Sequence, residues 1–463
     1  RHVGTRLHTE MSAPMTTRTR LLLAATASGL LALTATSTVA HAAPAPIAAT
    51  STIAIDGVPN RAVLSVDGSR LYVSVTKLSA SGDSLLGEIN VIDTNSNTVV
   101  AEIAVGVEPT SPSLNPSGTR LYVTNFGDGT VSVIDTATNA VVATVTTGGK
   151  PLYAVVNPAG TKIYVPGLTV NTVSVIDAST YAVTATIATE PQPQAVLFSA
   201  DGSKAYLTAR DVDAVQVIDT ASEKVVSTIK VGKGPIRPVA DPKGARVFVP
   251  NYASNSVSVI SVKTNKVIRT IKVGDGPIPP VINAKGTRMW VANFTAGTVS
   301  EINLLKAHHP VVRTIRLGKG LFFSMLNAKG DSLYVTNRLT NTISGICTST
   351  GKVTRTYATG AGPQMTLGGP AMYSVNEIGR SVSVFTAAVL GKGACSYSCR
   401  RLARLKSTKA LHRIARCRAF VVAQGQLARR SSLTEHGQDR RRRARGCVVG
   451  TEVIEAEEDV LHR

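Results

Sequence analysis

The stretch Leu121-Tyr122-Val123-Thr124-Asn125 decides how this chain is read, because it keeps returning. Related strings stand at 71–75, 163–166, 205–208, 247–251, 289–293 and 333–337. All seven follow a turn glycine: Gly68, Gly118, Gly160, Gly202, Gly244, Gly286 or Gly330, at steps of 50, 42, 42, 42, 42 and 44 residues. Behind each string comes another alternating run, ending at Asp93, Asp135, Asp177, Asp219, Ser261, Asn303 or Cys347. A further run closes each unit, as at 141–145 and 225–229. One unit is thus four short strands of period-two alternation joined by turn residues. Such a meander cannot bury both its faces alone, so the units must stack. Four strands in a repeat of this length make the blade of a β-propeller; a parallel β-helix needs a much shorter period.

Seven complete units are visible. Ahead of them, 51–59 reads as a lone fourth strand with its exit loop. Behind them, 372–376 and 381–385 read as the second and third strands of a shortened unit. Joining both ends in one blade gives eight blades and leaves no open sheet edge. Seven blades is the alternative count. The fold class is all-β, a propeller of four-stranded blades.

These residues resemble the YVTN-repeat β-propeller family, named for the strand intact at Tyr122-Val123-Thr124-Asn125 and Tyr334-Val335-Thr336-Asn337. The resemblance spans roughly residues 53–385 and implies a secreted or cell-surface bacterial protein, more often with seven blades. The chain departs from the pattern where the Asn is missing, in the first, third and fourth units. It departs again where Ser261, Asn303 and Cys347 replace Asp.

Composition agrees with short strands and turns. Of 463 residues, 43% are hydrophobic and only 4% aromatic, with one Trp, while Gly and Pro number 38 and 22. That excludes a disordered chain, a helical bundle or a coiled coil. The net charge of +21 is unevenly placed: residues 1–46 carry +3, 47–390 carry +8 and 391–463 carry +10. The ring itself is mildly basic, which argues against nucleic acid as its partner.

The termini read differently from the body. Residues 1–14 form an upstream extension, and 15–42 a secretory signal peptide. The latter has basic Arg18 and Arg20, an apolar stretch over 21–40 and the cleavage site Ala40-His41-Ala42. Residues 43–52 are a linker, 53–390 the propeller and 391–463 a basic tail, disordered or partly helical, that holds four of the five cysteines. Cys395 and Cys399 lack a partner pair for zinc, and Cys347 reads as a buried small apolar residue.

Catalytic machinery is thin. The body's histidines, His308 and His309, adjoin in one outer loop, too few for a multi-His metal site or a triad. No haem attachment site, metalloprotease motif or phosphate loop is present. The recurring Asp93, Asp135, Asp177 and Asp219 each precede a turn and read as Asx-turn residues. Asn125, Asn251, Asn293 and Asn337 are expected to hydrogen-bond their own turns.

What appears in one blade only is the better functional candidate. Loops expected at one mouth of the channel carry Phe126, Tyr153, Arg210, Arg237, Tyr252, Phe294 and Arg338, beside Gln194 and Phe322. Aromatics and arginines around a cavity suit stacking and charge-assisted hydrogen bonds. The expectation is therefore a non-catalytic, monomeric, exported binding scaffold for a surface polymer, protein or small ligand. It needs no cofactor or metal and keeps no transmembrane segment once mature. The alternative is a lactonase-like hydrolase, with Asp128, Asp211 and Asp213 as the nearby acids.

Overall fold

A computed structural model describes residues 45–308, 310–390 and Cys395. The proposed extension, signal peptide and nearly all of the basic tail lie outside the described residues, as does His309. Eight four-stranded antiparallel sheets follow one another along the chain. Seven are continuous in sequence, over 58–105, 113–146, 155–188, 193–230, 239–272, 281–316 and 321–358; we call them blades 1 to 7.

The eighth blade is shared by the two ends. Its inner three strands are Pro363–Gly368, Ala371–Asn376 and Ser381–Thr386, and its outermost strand is β1, Ser51–Ala54. Antiparallel pairing runs from Ser51 opposite Val384 to Ala54 opposite Ser381. The eight-blade count with a split blade is thus the observed one. Two refinements follow: the last unit keeps its own first strand, and ordered pairing begins inside the expected linker. Ile47 already bridges to Tyr357 in blade 7, with its N–H donating to Thr356 O at 2.7 Å.

The second and third strands of each blade are almost entirely buried, while the fourth alternates towards solvent. The cores form between blades, as stacking requires. In one, Tyr122, Val131 and Val133 of blade 2 meet Ile163, Val165 and Ile176 of blade 3. Another joins Ile53, Ile55 and blade 8 to Leu71, Val73 and Val75 of blade 1.

The recurring Asp residues do the turn work expected of them, whereas Asn125, Asn251 and Asn293 reach past their turns to the third strand and only Asn337 bonds its own turn. Asp135 Oδ1 accepts from the N–H groups of Ala137 at 2.9 Å and Thr138 at 3.0 Å. Asp177 repeats the pattern with Ser179 Oγ donating as well, at 2.6 Å. The Ser179 hydroxyl first and then the backbone N–H groups hold Asp177, and the backbone N–H groups hold Asp135, below the usual carboxylate range. Asn125 Nδ2 donates to Thr130 Oγ1 at 2.8 Å and Ser132 Oγ at 2.9 Å, tying the second strand to the third. Cys347 corrects an expectation. It is fully buried, but it is half of a disulfide with Cys395, which anchors the start of the tail to blade 7.

Two outcomes follow from this packing. Ile53→Ala should lower unfolding stability by about 2–4 kcal/mol in chemical denaturation, since it empties a buried site on the closing strand. The exposed Thr52→Ala should change stability by less than about 0.5 kcal/mol. Burial also lifts the Tyr122, Tyr164, Tyr206 and Tyr334 phenols from the ordinary 10.0 to about 12. The unfolded chain releases these protons near 10.0 while the native chain keeps them, so stability is intact below that value and falls as pH rises through it. An alkaline titration followed by tyrosinate absorbance should show these phenols ionising only near pH 12 or on unfolding.

Candidate functional site

The first strand of each blade faces the channel, and the repeat itself says which residue stands where. Counting seven residues back from each turn glycine gives Arg61, Ser111, Tyr153, Ala195, Arg237, Pro279 and Phe323. Pairing agrees where the ladder extends this far: the position after each lies opposite the same second-strand position, Ala62 opposite Val73, Val196 opposite Leu207 and Ser324 opposite Val335. Ser111 and Tyr153 also bridge directly between adjacent blades. This ring is scaffold in backbone and unconstrained in side chain, and five of its members line one cavity.

The cavity has a volume of about 500 Å³, within the range of small-molecule and cofactor sites. Its lining includes Arg61, Tyr153, Gln194, Arg210, Arg237 and Tyr252, with Pro279, Pro280 and Phe322 as apolar walls. Tyr153 sits among cations: the guanidinium carbons of Arg61 and Arg237 lie 5.7 Å and 5.8 Å from its ring centre. Among the described residues, Arg61, Arg210 and Arg237 have no carboxylate partner. Positive charge therefore collects in a confined space and favours an anion there. Two polar atoms without hydrogen bonds also belong to this lining, Gln194 Oε1 and Ser324 Oγ, the latter on a side chain that is 7% exposed.

Of the seven residues expected at the mouth, the structure gathers Tyr153, Arg210, Arg237 and Tyr252 in this cavity. Phe294 and Arg338 stand beside it through Phe322, with ring centres 6.4 Å apart for Phe294 and the Arg338 guanidinium 5.3 Å above the ring. Arg338 is ion-paired to Glu377, which also accepts from Gln364 Nε2 at 2.5 Å. Phe126 lies outside the lining, with Lys150 4.9 Å over its ring. Arg61 was missed. It is inside a strand rather than a loop, and only the glycine count would have found it.

The expected acids are occupied elsewhere. Asp128 Oδ2 accepts from Val107 N–H at 2.6 Å and Asp213 Oδ1 from Gly234 N–H at 2.8 Å, so both pin loops. Among the described residues no three His, Cys, Asp or Glu side chains converge as a metal site. His308 is exposed in the connection between the third and fourth strands of blade 6.

The family described as the cytochrome D1 heme domain matches residues 115–244, from the blade 2 turn to the blade 5 turn. No curated protein matches. Among solved structures, hydrazine synthase of Kuenenia stuttgartiensis is 21% identical, covering 72% of this chain and 97% of its own, with a TM-score of 0.49. The dihydro-heme d1 dehydrogenase NirN, solved in complex with DHE, is 16% identical over 66% of each chain, with a TM-score of 0.55. The latter likeness is one of fold.

The match over 115–244 corrects the expected function. The reading of a non-catalytic scaffold for a surface polymer or protein, with lactonase-like hydrolysis as its alternative, does not stand against similarity to a heme domain. Histidines and attachment cysteines are the local marks of iron ligation in a sequence. A cavity built from single residues of several blades leaves no such mark.

Proposed function

We propose that this propeller binds a carboxylate-bearing tetrapyrrole of the heme class in the channel cavity and positions it for reaction. The observation that carries the reading is the cavity with three arginines that have no carboxylate partner among the described residues, inside and beside the segment that resembles a heme domain. Arg61, Arg210 and Arg237 fit carboxylates at the edge of such a group through charge-assisted hydrogen bonds, each worth about 1.5–3 kcal/mol. Pro279, Pro280 and Phe322 offer apolar walls to a flat ring, and Ser324 Oγ and Gln194 Oε1 offer unused hydrogen-bonding capacity. For a central iron the lining supplies only phenol oxygens, Tyr153 and Tyr252, a ligand type that heme proteins do use. When bound, the group supplies the redox chemistry; the chain's residues bind, orient and shield it from water. Phe294 and Arg338 would form the rim.

The finer resemblance to YVTN-repeat propellers belongs to the same reading, since both families place their repeats around one channel. An extracytoplasmic location is also part of it, supported by the Cys347–Cys395 disulfide, which persists in oxidising compartments. Peptide mapping of the native protein without reductant should return these two cysteines in one cross-linked species. Finding both as free thiols would count against that location.

Binding is tested by titrating the full chain with hemin and, separately, with its metal-free porphyrin, following the Soret band. A saturable shift with both is expected. Arg61→Ala and Arg237→Ala should each weaken binding by about 10-fold or more, as expected for one lost charge-assisted bond. Tyr153→Phe should alter the hemin band position more than it alters affinity for the metal-free ring. No saturable shift with either compound would overturn the reading.

A further inference from the structure

The repeat exposes a second site, on a seam between blades and independent of the channel. Along three consecutive seams, the basic residue that opens a second strand reaches the next blade and meets the residue of left-handed backbone in its last turn. Arg120 Nε donates to Tyr181 Oη at 2.8 Å, Lys162 pairs with Glu223, and Lys204 Nζ donates to Asn265 Oδ1 at 3.3 Å. Each pair is 61 residues apart, and Tyr181, Glu223 and Asn265 have φ of 60°, 54° and 51°. Tyr206 Oη also turns to Asn265, at 3.1 Å.

Between blades 6 and 7 this lock is missing. The left-handed position is Gly351, with φ of 67° and no side chain to answer Arg288. Arg288 instead lies 3.5 Å from Glu301 of its own blade. Trp290 stands where most blades have a tyrosine, and its Nε1–H has no acceptor among the described residues although the residue is only 2% exposed. The result is a cavity of about 370 Å³ lined by Arg288, Trp290, Glu301, Lys306, Arg313 and Ser349, among others. Three cations face one carboxylate. Glu301 is ion-paired to Arg313 at 2.9 Å, yet Arg313 Nη1 is buried without a well-directed hydrogen bond. Lys306 Nζ has no partner among the described residues. The cavity thus holds a surplus of positive charge and, among the described residues, one buried donor without an acceptor, Trp290 Nε1.

We propose that this seam binds a small oxyanion, a phosphate or carboxylate group, between Trp290 Nε1, Lys306 Nζ and the Arg313 guanidinium. Such a ligand accepts from all three and supplies the contact that a side chain at the left-handed position makes on the three seams from blade 2 to blade 5. Trp290 is the chain's single tryptophan, so its fluorescence reports occupancy directly.

The test titrates the full chain with inorganic phosphate and, in a second arm, with acetate, at constant ionic strength and with excitation that excludes tyrosine. A saturable change in Trp290 emission is expected with at least one anion, and the better of the two identifies the ligand group. Lys306→Met, a surface substitution, should weaken it about 10-fold, the loss of one charge-assisted contact. Gly351→Asn should abolish it: Asn tolerates left-handed backbone and places a side chain where Tyr181, Glu223 and Asn265 stand on those three seams. Arg313 must then shift, because a Cβ at 351 would fall 2.2 Å from its Nη1. No saturable change up to about 10 mM of either anion would overturn the site, as would a response that both variants leave intact.

Discussion

Everything in this molecule depends on one short strand pairing across the ends of the chain. Each blade buries its faces only against its neighbours, so a row of blades leaves two apolar faces and two sheet edges exposed. Pairing Ser51–Ala54 with the third strand of blade 8 removes both liabilities together. It also places Ile53 and Ile55 in the core shared by blade 8 and blade 1. Closure holds the first strands in a ring, and only a ring can bring Arg61, Tyr153 and Arg237 of three different blades to the same space.

The repeat constrains some positions heavily and others hardly at all. Apolar second and third strands recur because they form the seams, and turn glycines and Asx residues recur because the hairpins need them. The channel-facing residue of the first strand meets neither demand, so it varies freely as Arg, Ser, Tyr, Ala, Pro or Phe. The seam between blades 6 and 7 shows the complementary case. There a contact that recurs on three seams between blades 2 and 5 is absent, at Gly351, and a charged cavity stands in its place. Variation permitted by the scaffold and interruption of the scaffold are two routes by which a uniform fold acquires individual sites.

The sequence by itself determined the blade, because period-two alternation, turn glycines and Asx turns are local chemistry repeated at fixed steps. It also pointed to the eighth blade, since an orphan strand at one end matched a shortened unit at the other. It named Tyr153, Arg210, Arg237 and Tyr252, which differ from blade to blade. Only the tertiary structure decided that these four share a cavity with Arg61, that Phe126 does not, and that Cys347 bonds to Cys395. The reason is physical: strand and turn formation depend on neighbours in sequence, whereas a channel cavity and a disulfide depend on which distant residues the closed ring brings within reach.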